Sequence, residues 1–303
     1  MIEDEAGLRS LLRIDPTARL DVEDLSTPWA SITHLTATDP PLNVVLKRAV
    51  DPEAAYTELA VLEAFGRIGF SAAPHLRAIH GDAAVLEWVD GAPATALVPP
   101  AGAVDAAVDA LAALHSLSIA EGVHWGSPPE AVVEWAPLPL HRLGFSADER
   151  DAADPPIGEA FELLRAAHWG MTHGDATAAN VLLRPGGATF TGWGRAGYGP
   201  SLFDLSAFLL TAGIPAAERA AAVRRYARAR SLDEDTLVAE ADLLGILWGL
   251  DWLLPLPRRQ IVVMGDDAAT SLLVLLANRI ERAIKEPAGH HPLAARIRRA
   301  LWP

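Results

Sequence analysis

The sequence contains no cysteine, and only two of its 25 basic side chains, Lys47 and Lys285, are lysines. Without cysteine there are no disulfides, thiolate nucleophiles or cysteine-ligated zinc and iron–sulfur centres, and a reducing, cytoplasmic setting is expected. Long apolar runs are missing as well. The longest, Leu243 to Leu256, is broken by Asp251 and Pro255 and falls short of a bilayer crossing. The opening MIEDEAGLRS has neither the basic start nor the apolar core of a signal peptide. Basic charge is scarce: 25 Lys and Arg stand against 39 Asp and Glu, a formal charge of −14. Such a field opposes nucleic acid and anionic membrane surfaces as partners and attracts small cations. What is present is a 303-residue chain, 50% hydrophobic and 21% charged. That is the profile of a globular protein able to bury a core without a staple.

The two halves are patterned differently. Short β-like runs at Ser31 to Thr36, Asn43 to Leu46 and Ala83 to Val89 are separated by turn signals at Asp39-Pro40-Pro41 and Gly81-Asp82. Between them a helix is predicted from Pro52 to Phe65, with Asp51 as N-cap, Pro52 in the first turn, and Leu59, Leu62 and Phe65 at helical spacing. After Gly91-Ala92-Pro93 the pattern becomes helical, at Ala103 to Ser118, Ile157 to Ala167, Ser201 to Ala212, Ala216 to Leu250 with a break near Ser231 to Asp235, and Ala268 to Ile284. A β-like island at Val181 to Thr191 interrupts it. Segregated elements predict an α+β fold: a small mixed lobe over residues 1–89 and a larger helical lobe over 90–303.

The chemistry-bearing run is Thr172-His173-Gly174-Asp175-Ala176-Thr177-Ala178-Ala179-Asn180-Val181-Leu182-Leu183. It sets an Asp and an Asn five positions apart in a polar loop leading into a strand. Phosphoryl transfer of the kinase kind uses that pair: Asp175 takes or orients the proton of the attacking hydroxyl, and the Asn180 carboxamide oxygen holds Mg²⁺ on the nucleotide phosphates.

His173-Gly174-Asp175 with Asn180 resembles the catalytic loop of the aminoglycoside phosphotransferase and choline kinase family, which has a two-lobed protein-kinase-like fold. The likeness runs from about Trp29 to Phe208 and continues through Gly194-Arg195-Ala196-Gly197-Tyr198-Gly199-Pro200 and Phe203-Asp204-Leu205. It implies ATP and Mg²⁺ as cofactors, a small-molecule acceptor, Lys47 on the α- and β-phosphates and Glu58 as its ion-pair partner. It also implies adenine contacts from main-chain groups near Glu87 and Val89. No glycine-rich phosphate loop precedes Lys47; Pro28-Trp29-Ala30-Ser31-Ile32-Thr33 takes its place, and it reads either as a plain β-turn or as a phosphate contact through backbone amides and the Ser31 or Thr33 hydroxyl. His173 and Asp204 are expected to be scaffold residues of the loop. Glu134, Trp135, Asp251 and Trp252 are acidic and aromatic groups suited to a cationic acceptor, while Leu244, Trp248 and Trp252 at i, i+4, i+8 suggest core packing.

The chain departs from the family at one position. Family members carry a metal-binding Asp before the Trp-Gly of the second β-like segment, and here Phe190-Thr191-Gly192-Trp193-Gly194 puts Gly192 there. No Asp or Glu lies between Asn180 and Asp204, so a local register slip cannot restore the carboxylate. Three readings follow. The first is ATP-dependent transfer of the γ-phosphate to a hydroxyl of a small metabolite or antibiotic, with a degraded metal site. The second is a pseudokinase that binds without turnover, and the third is ATP-independent biosynthetic chemistry with Asp175 as general base.

Overall fold

Alternating side chains in the first ninety residues build an antiparallel sheet, and the register of that sheet sorts the functional residues. The computed structural model describes residues 5–27, 29–38, 41–95, 100, 102–117, 138–254 and 268–303. Two compact units are present: Met1–Asp90 with Thr189–Ala196, and Gly91–Ala188 with Gly197–Pro303.

In the first unit, strands β1 (Leu20–Asp24), β2 (Ala30–Ala37), β3 (Leu42–Ala49), β4 (Leu76–His80) and β5 (Ala83–Glu87) form a sheet of order β1-β2-β3-β5-β4. Cross-strand pairs Leu35↔Val44 and Leu46↔Val85 put these residues on one face. There Leu35, Val44 and Val85 bury with Leu8 of helix α1 (Glu5–Leu11). Each such fully buried aliphatic side chain contributes about 1.5–3 kcal/mol. Pairs Ile32↔Lys47, His34↔Val45, Val45↔Leu86 and Lys47↔Ala84 occupy the other face. Helix α2 (Pro52–Ile68) starts where Asp51 caps the Glu53 amide at 3.0 Å and ends at Gly69, whose φ of 72° permits a left-handed stop.

The second unit is mostly helical: α3 (Ala103–Leu114), α4 (Ala147–Ala166), α5 (Ser201–Thr211), α6 (Ala216–Arg230), α7 (Glu234–Leu253), α8 (Ala268–Lys285) and α9 (Pro292–Leu301). Asp233 caps α7 by accepting from the Thr236 amide at 2.8 Å, which explains the predicted break after α6. Helix α4 begins ten residues earlier than its apolar pattern suggests. A capping box joins Ser146 and Glu149, and the helix runs through Pro155 and Pro156. Short strands frame the loops of interest: β6 (Ala92–Pro93), β7 (Trp169–Thr172), β8 (Val181–Arg184), β9 (Gly187–Phe190) and β10 (Gly197–Pro200), paired as β6-β8-β9 and β10-β7. The architecture is the α+β arrangement that the patterning predicts. Among the described residues no helix is long and apolar enough to cross a membrane.

Candidate active site

Lys47 lies on β3, and its ammonium meets the Glu58 carboxylate of α2 at 2.7 Å, with side-chain exposures of only 14% and 6%. The fold selects Glu58 from three glutamates on this helix: Glu53 is exposed and Glu63 pairs with Arg67 at 3.4 Å. Glu58 Oε1 also accepts the Trp193 main-chain N–H at 3.2 Å. One carboxylate therefore fastens together the lysine strand, α2 and the segment that carries Gly192. A lysine ammonium has three donors. Glu58 takes one, and the others meet no acceptor among the described residues. A half-buried ammonium in that state suits the anionic oxygens of a nucleotide phosphate.

Ser31 and Thr33 do not join this group. The Ile32↔Lys47 pairing puts Ile32 on the lysine face, so period-2 alternation sends Ser31 and Thr33 to the opposite side of the sheet. The β1–β2 turn is closed by its own hydroxyls, Ser26 Oγ accepting from the Ile32 amide at 3.0 Å and Thr27 Oγ1 from the Ala30 amide at 3.2 Å. Pro28 lies outside the described residues. On the lysine face a pair missed by sequence reasoning appears: His34 stacks on Trp88 at 3.8 Å with 14° between the rings. His34 Nε2 meets Asn43 Oδ1 at 2.7 Å, and Trp88 Nε1 donates to Asp90 at 2.7 Å. Glu87 turns its exposed carboxylate toward Arg77 at 3.4 Å, and its amide donates to His75 O at 2.9 Å. Val89 follows β5, half-buried, and no described backbone group bonds to its main chain.

Asp175 and Asn180 are brought together in the second unit. Asn180 Nδ2 donates to the Asp175 main-chain oxygen at 2.9 Å and to Asp175 Oδ2 at 3.0 Å. The amide nitrogen therefore faces the carboxylate, and any metal ligation by Asn180 falls to its Oδ1. Gly174 turns the loop with φ 77°, a left-handed conformation that a Cβ would strain. The fully buried His173 ring accepts the Asp175 amide on Nδ1 at 3.2 Å. Asp204 on α5 accepts from the His173 amide at 2.5 Å and the Gly174 amide at 3.0 Å, a scaffold arrangement. Thr211 Oγ1 accepts the Ala178 amide at 2.7 Å.

Three residues of this scaffold were not legible in the sequence. His115 Nε2 lies 3.2 Å from Asp204 Oδ2, Tyr226 OH lies 2.8 Å from His115 Nδ1, and Arg230 donates to Tyr226 OH at 3.0 Å. Their partners stand 89 and 111 residues away for His115, so no local spacing signals them. The one available hint was chemical: a histidine and a tyrosine buried to 3% and 1% need polar partners.

Gly192 adopts φ 79° and ψ 49° and leads into a 3₁₀ turn at Trp193–Arg195. Trp193 is wholly buried, edge-on to Phe65 at 4.8 Å, with Nε1 donating to Phe190 O at 2.8 Å. A Cβ on Gly194 would stand 2.8 Å from Ala54 Cβ, so this segment lies directly against α2. Gly192 itself brings no side-chain ligand to this segment. Among the described residues no three His, Cys, Asp or Glu side chains form a group able to hold a metal. In the first unit Lys47 fits a nucleotide phosphate and Gly192 supplies no anionic ligand; in the second, Asn180 Oδ1 beside Asp175 fits a single metal contact.

Of the candidate acceptor residues, Glu134 and Trp135 lie outside the described residues. Trp248 and Trp252 on α7 stack at 6.4 Å and are half-buried, whereas Leu244 is core. Asp251 keeps a solvent-exposed edge, yet desolvation by the surrounding protein holds its carboxyl above the usual carboxylate range.

Residues 30–243 match the phosphotransferase enzyme family. No curated protein matches the chain. Among solved structures, a choline/ethanolamine kinase family protein from Mesorhizobium loti superposes with a TM-score of 0.59 at 17% identity, covering 99% of each chain. The macrolide 2′-phosphotransferase MphH from Brachybacterium faecium gives 0.55 at 19% identity, over 90% of this chain and 98% of its own. The amicoumacin kinase hAmiN, in complex with AMP-PNP, Ca²⁺ and Ami, gives 0.58 at 16% identity, over 96% of this chain and 97% of its own. At these identities the likeness is one of fold.

Proposed function

The chain belongs to the phosphotransferase enzyme family, and from that premise we propose that it transfers the γ-phosphate of ATP to a hydroxyl of a small metabolite or antibiotic through a degraded metal site. The Asp175–Asn180 pair carries this reading. Asp175 Oδ2, half-buried and oriented by the Asn180 amide, is placed to accept the proton of an attacking hydroxyl. Lys47, held by Glu58, neutralises charge on the α- and β-phosphates. The Val89 main chain offers the base its hydrogen bonds. Mg²⁺, when bound, lends electrophilic stabilisation to the phosphates, and Asn180 Oδ1 is the residue atom that would hold it. The net charge of −14 and the Asp251, Trp248 and Trp252 group favour a cationic acceptor.

Gly192 favours a second reading, a pseudokinase that binds nucleotide without turnover. A missing preorganised transition-state contact costs about 3–4 kcal/mol, or about 10²–10³ in rate. Assaying Mg²⁺-dependent ATP consumption against a panel of amino alcohols, amino sugars and macrolides tests the first reading: slow turnover is expected, lost in Asp175→Ala. Thermal stabilisation by ATP with no consumption across the panel would favour the second.

A further inference from the structure

Asp204 anchors the catalytic loop, and a chain of buried hydrogen bonds behind it has no place in the proposed chemistry. It starts at Arg230 on α6, whose Nη1 meets Tyr226 OH at 3.0 Å, and passes to His115 Nδ1 at 2.8 Å. From His115 Nε2 it reaches Asp204 Oδ2 at 3.2 Å. Tyr226 and His115 are 1% and 3% exposed, so water does not compete for these groups.

Counting protons fixes the direction of the chain. Arginine is a donor only, so the Tyr226 oxygen accepts from Arg230. Burial pushes the Tyr226 phenol up to about 12, and its hydroxyl keeps its proton at neutral pH. That single proton points to His115 Nδ1, an acceptor 2.8 Å away; the buried Ser201 hydroxyl beside the phenol brings its own proton and, like Arg230, can serve the Tyr226 oxygen as a donor. Nδ1 therefore carries a lone pair, and the proton of a neutral ring sits on Nε2, facing the carboxylate. The opposite tautomer would set the Nε2 lone pair against Asp204 Oδ2.

We propose that Tyr226 is a positioning residue: its hydroxyl fixes His115 as the Nε2–H tautomer, which steadies the Asp204 carboxylate that holds the His173 and Gly174 amides and so aims Asp175. Only the role of Asp175 rests on the proposed phosphoryl transfer. The tautomer stands on the contacts of Tyr226 with Arg230 and His115, and the loop anchoring on those of Asp204 with His115 and the His173 and Gly174 amides.

Long-range ¹H–¹⁵N spectra of the histidine-labelled full chain at neutral pH test it, with His115→Gln identifying the signal. The wild type is expected to show His115 as a single neutral Nε2–H ring. Tyr226→Phe keeps the ring packing and removes the hydroxyl. In that variant the His115 signal should move to a tautomer mixture, and the His173 and Gly174 amides should exchange about tenfold faster. An imidazolium or an Nδ1–H ring in the wild type overturns the proposal, as does an unchanged signal with unchanged exchange in Tyr226→Phe. If Tyr226→Phe does not fold, the wild-type spectrum decides alone. Absent ATP turnover with an intact Nε2–H signal would sink the phosphoryl-transfer reading and leave this one standing.

Discussion

Two buried carboxylates, one in each unit, do similar structural work around unlike chemistry. Glu58 gathers the Lys47 ammonium and the Trp193 amide. Asp204 gathers His115 and two loop amides. The loop anchored by Asp204 presents a carboxylate, Asp175, whereas the segment anchored by Glu58 presents Gly192. The segment around Gly192 is nonetheless firmly held: Trp193 is wholly buried, and Gly194 lies tight against Ala54. Anchoring a loop and arming it are thus separable, because the anchoring contacts use backbone amides and ring packing that are indifferent to the side chain at 192.

Four substitutions sharpen the contrast, in falling order of expected effect on stability. Asp204→Ala orphans two amide donors and the His115 ring in a buried site and should cost about 3–5 kcal/mol in urea unfolding. A loss below about 1 kcal/mol would mean that solvent already satisfies the loop. Glu58→Ala strands a half-buried ammonium and one amide, and should cost about 2–3 kcal/mol while weakening ATP binding by at least about tenfold; unchanged ATP affinity would remove Lys47 from the phosphate site. Gly192→Asp puts an L side chain into left-handed backbone, where aspartate is among the better tolerated residues, so about 1–2 kcal/mol is expected on melting.

Asp251→Asn should have the smallest effect. Desolvation raises the Asp251 pKa in the folded state, so ionisation destabilises the fold as pH rises through that value. The asparagine variant should melt slightly higher at about pH 8, with the difference vanishing toward about pH 3, where the carboxyl is protonated in both states. The reverse pH trend would show that Asp251 has a cationic partner.

The sequence made Asp175, Asn180 and Lys47 legible for local reasons: the first two share one loop, and the third is a rare residue at the end of an apolar strand. Glu58 was legible through the family resemblance, and it meets Lys47 at 2.7 Å, whereas helical periodicity by itself leaves three glutamates as candidates. The Ser31 and Thr33 hydroxyls were offered to phosphate by proximity in sequence, and strand alternation turns them away. Strand β1 escaped notice because its last four residues are exposed and show no apolar alternation. Helix α9 lies beyond the last helix predicted from the pattern, and His291 is its N-cap, accepting the Leu293 amide at 3.2 Å. His115 and Tyr226 carry no local signature at all, since their roles exist only once three helices have converged.

ATP titration of the wild type and Gly192→Asp, each with and without Mg²⁺, bears most directly on the armed and unarmed anchors. The wild type should bind ATP through Lys47 with less than about tenfold gain from Mg²⁺, and Gly192→Asp should increase that gain and raise turnover by about 10²–10³. A strong Mg²⁺ dependence in the wild type that Gly192→Asp leaves unchanged, or no ATP binding by either protein, would contradict the account.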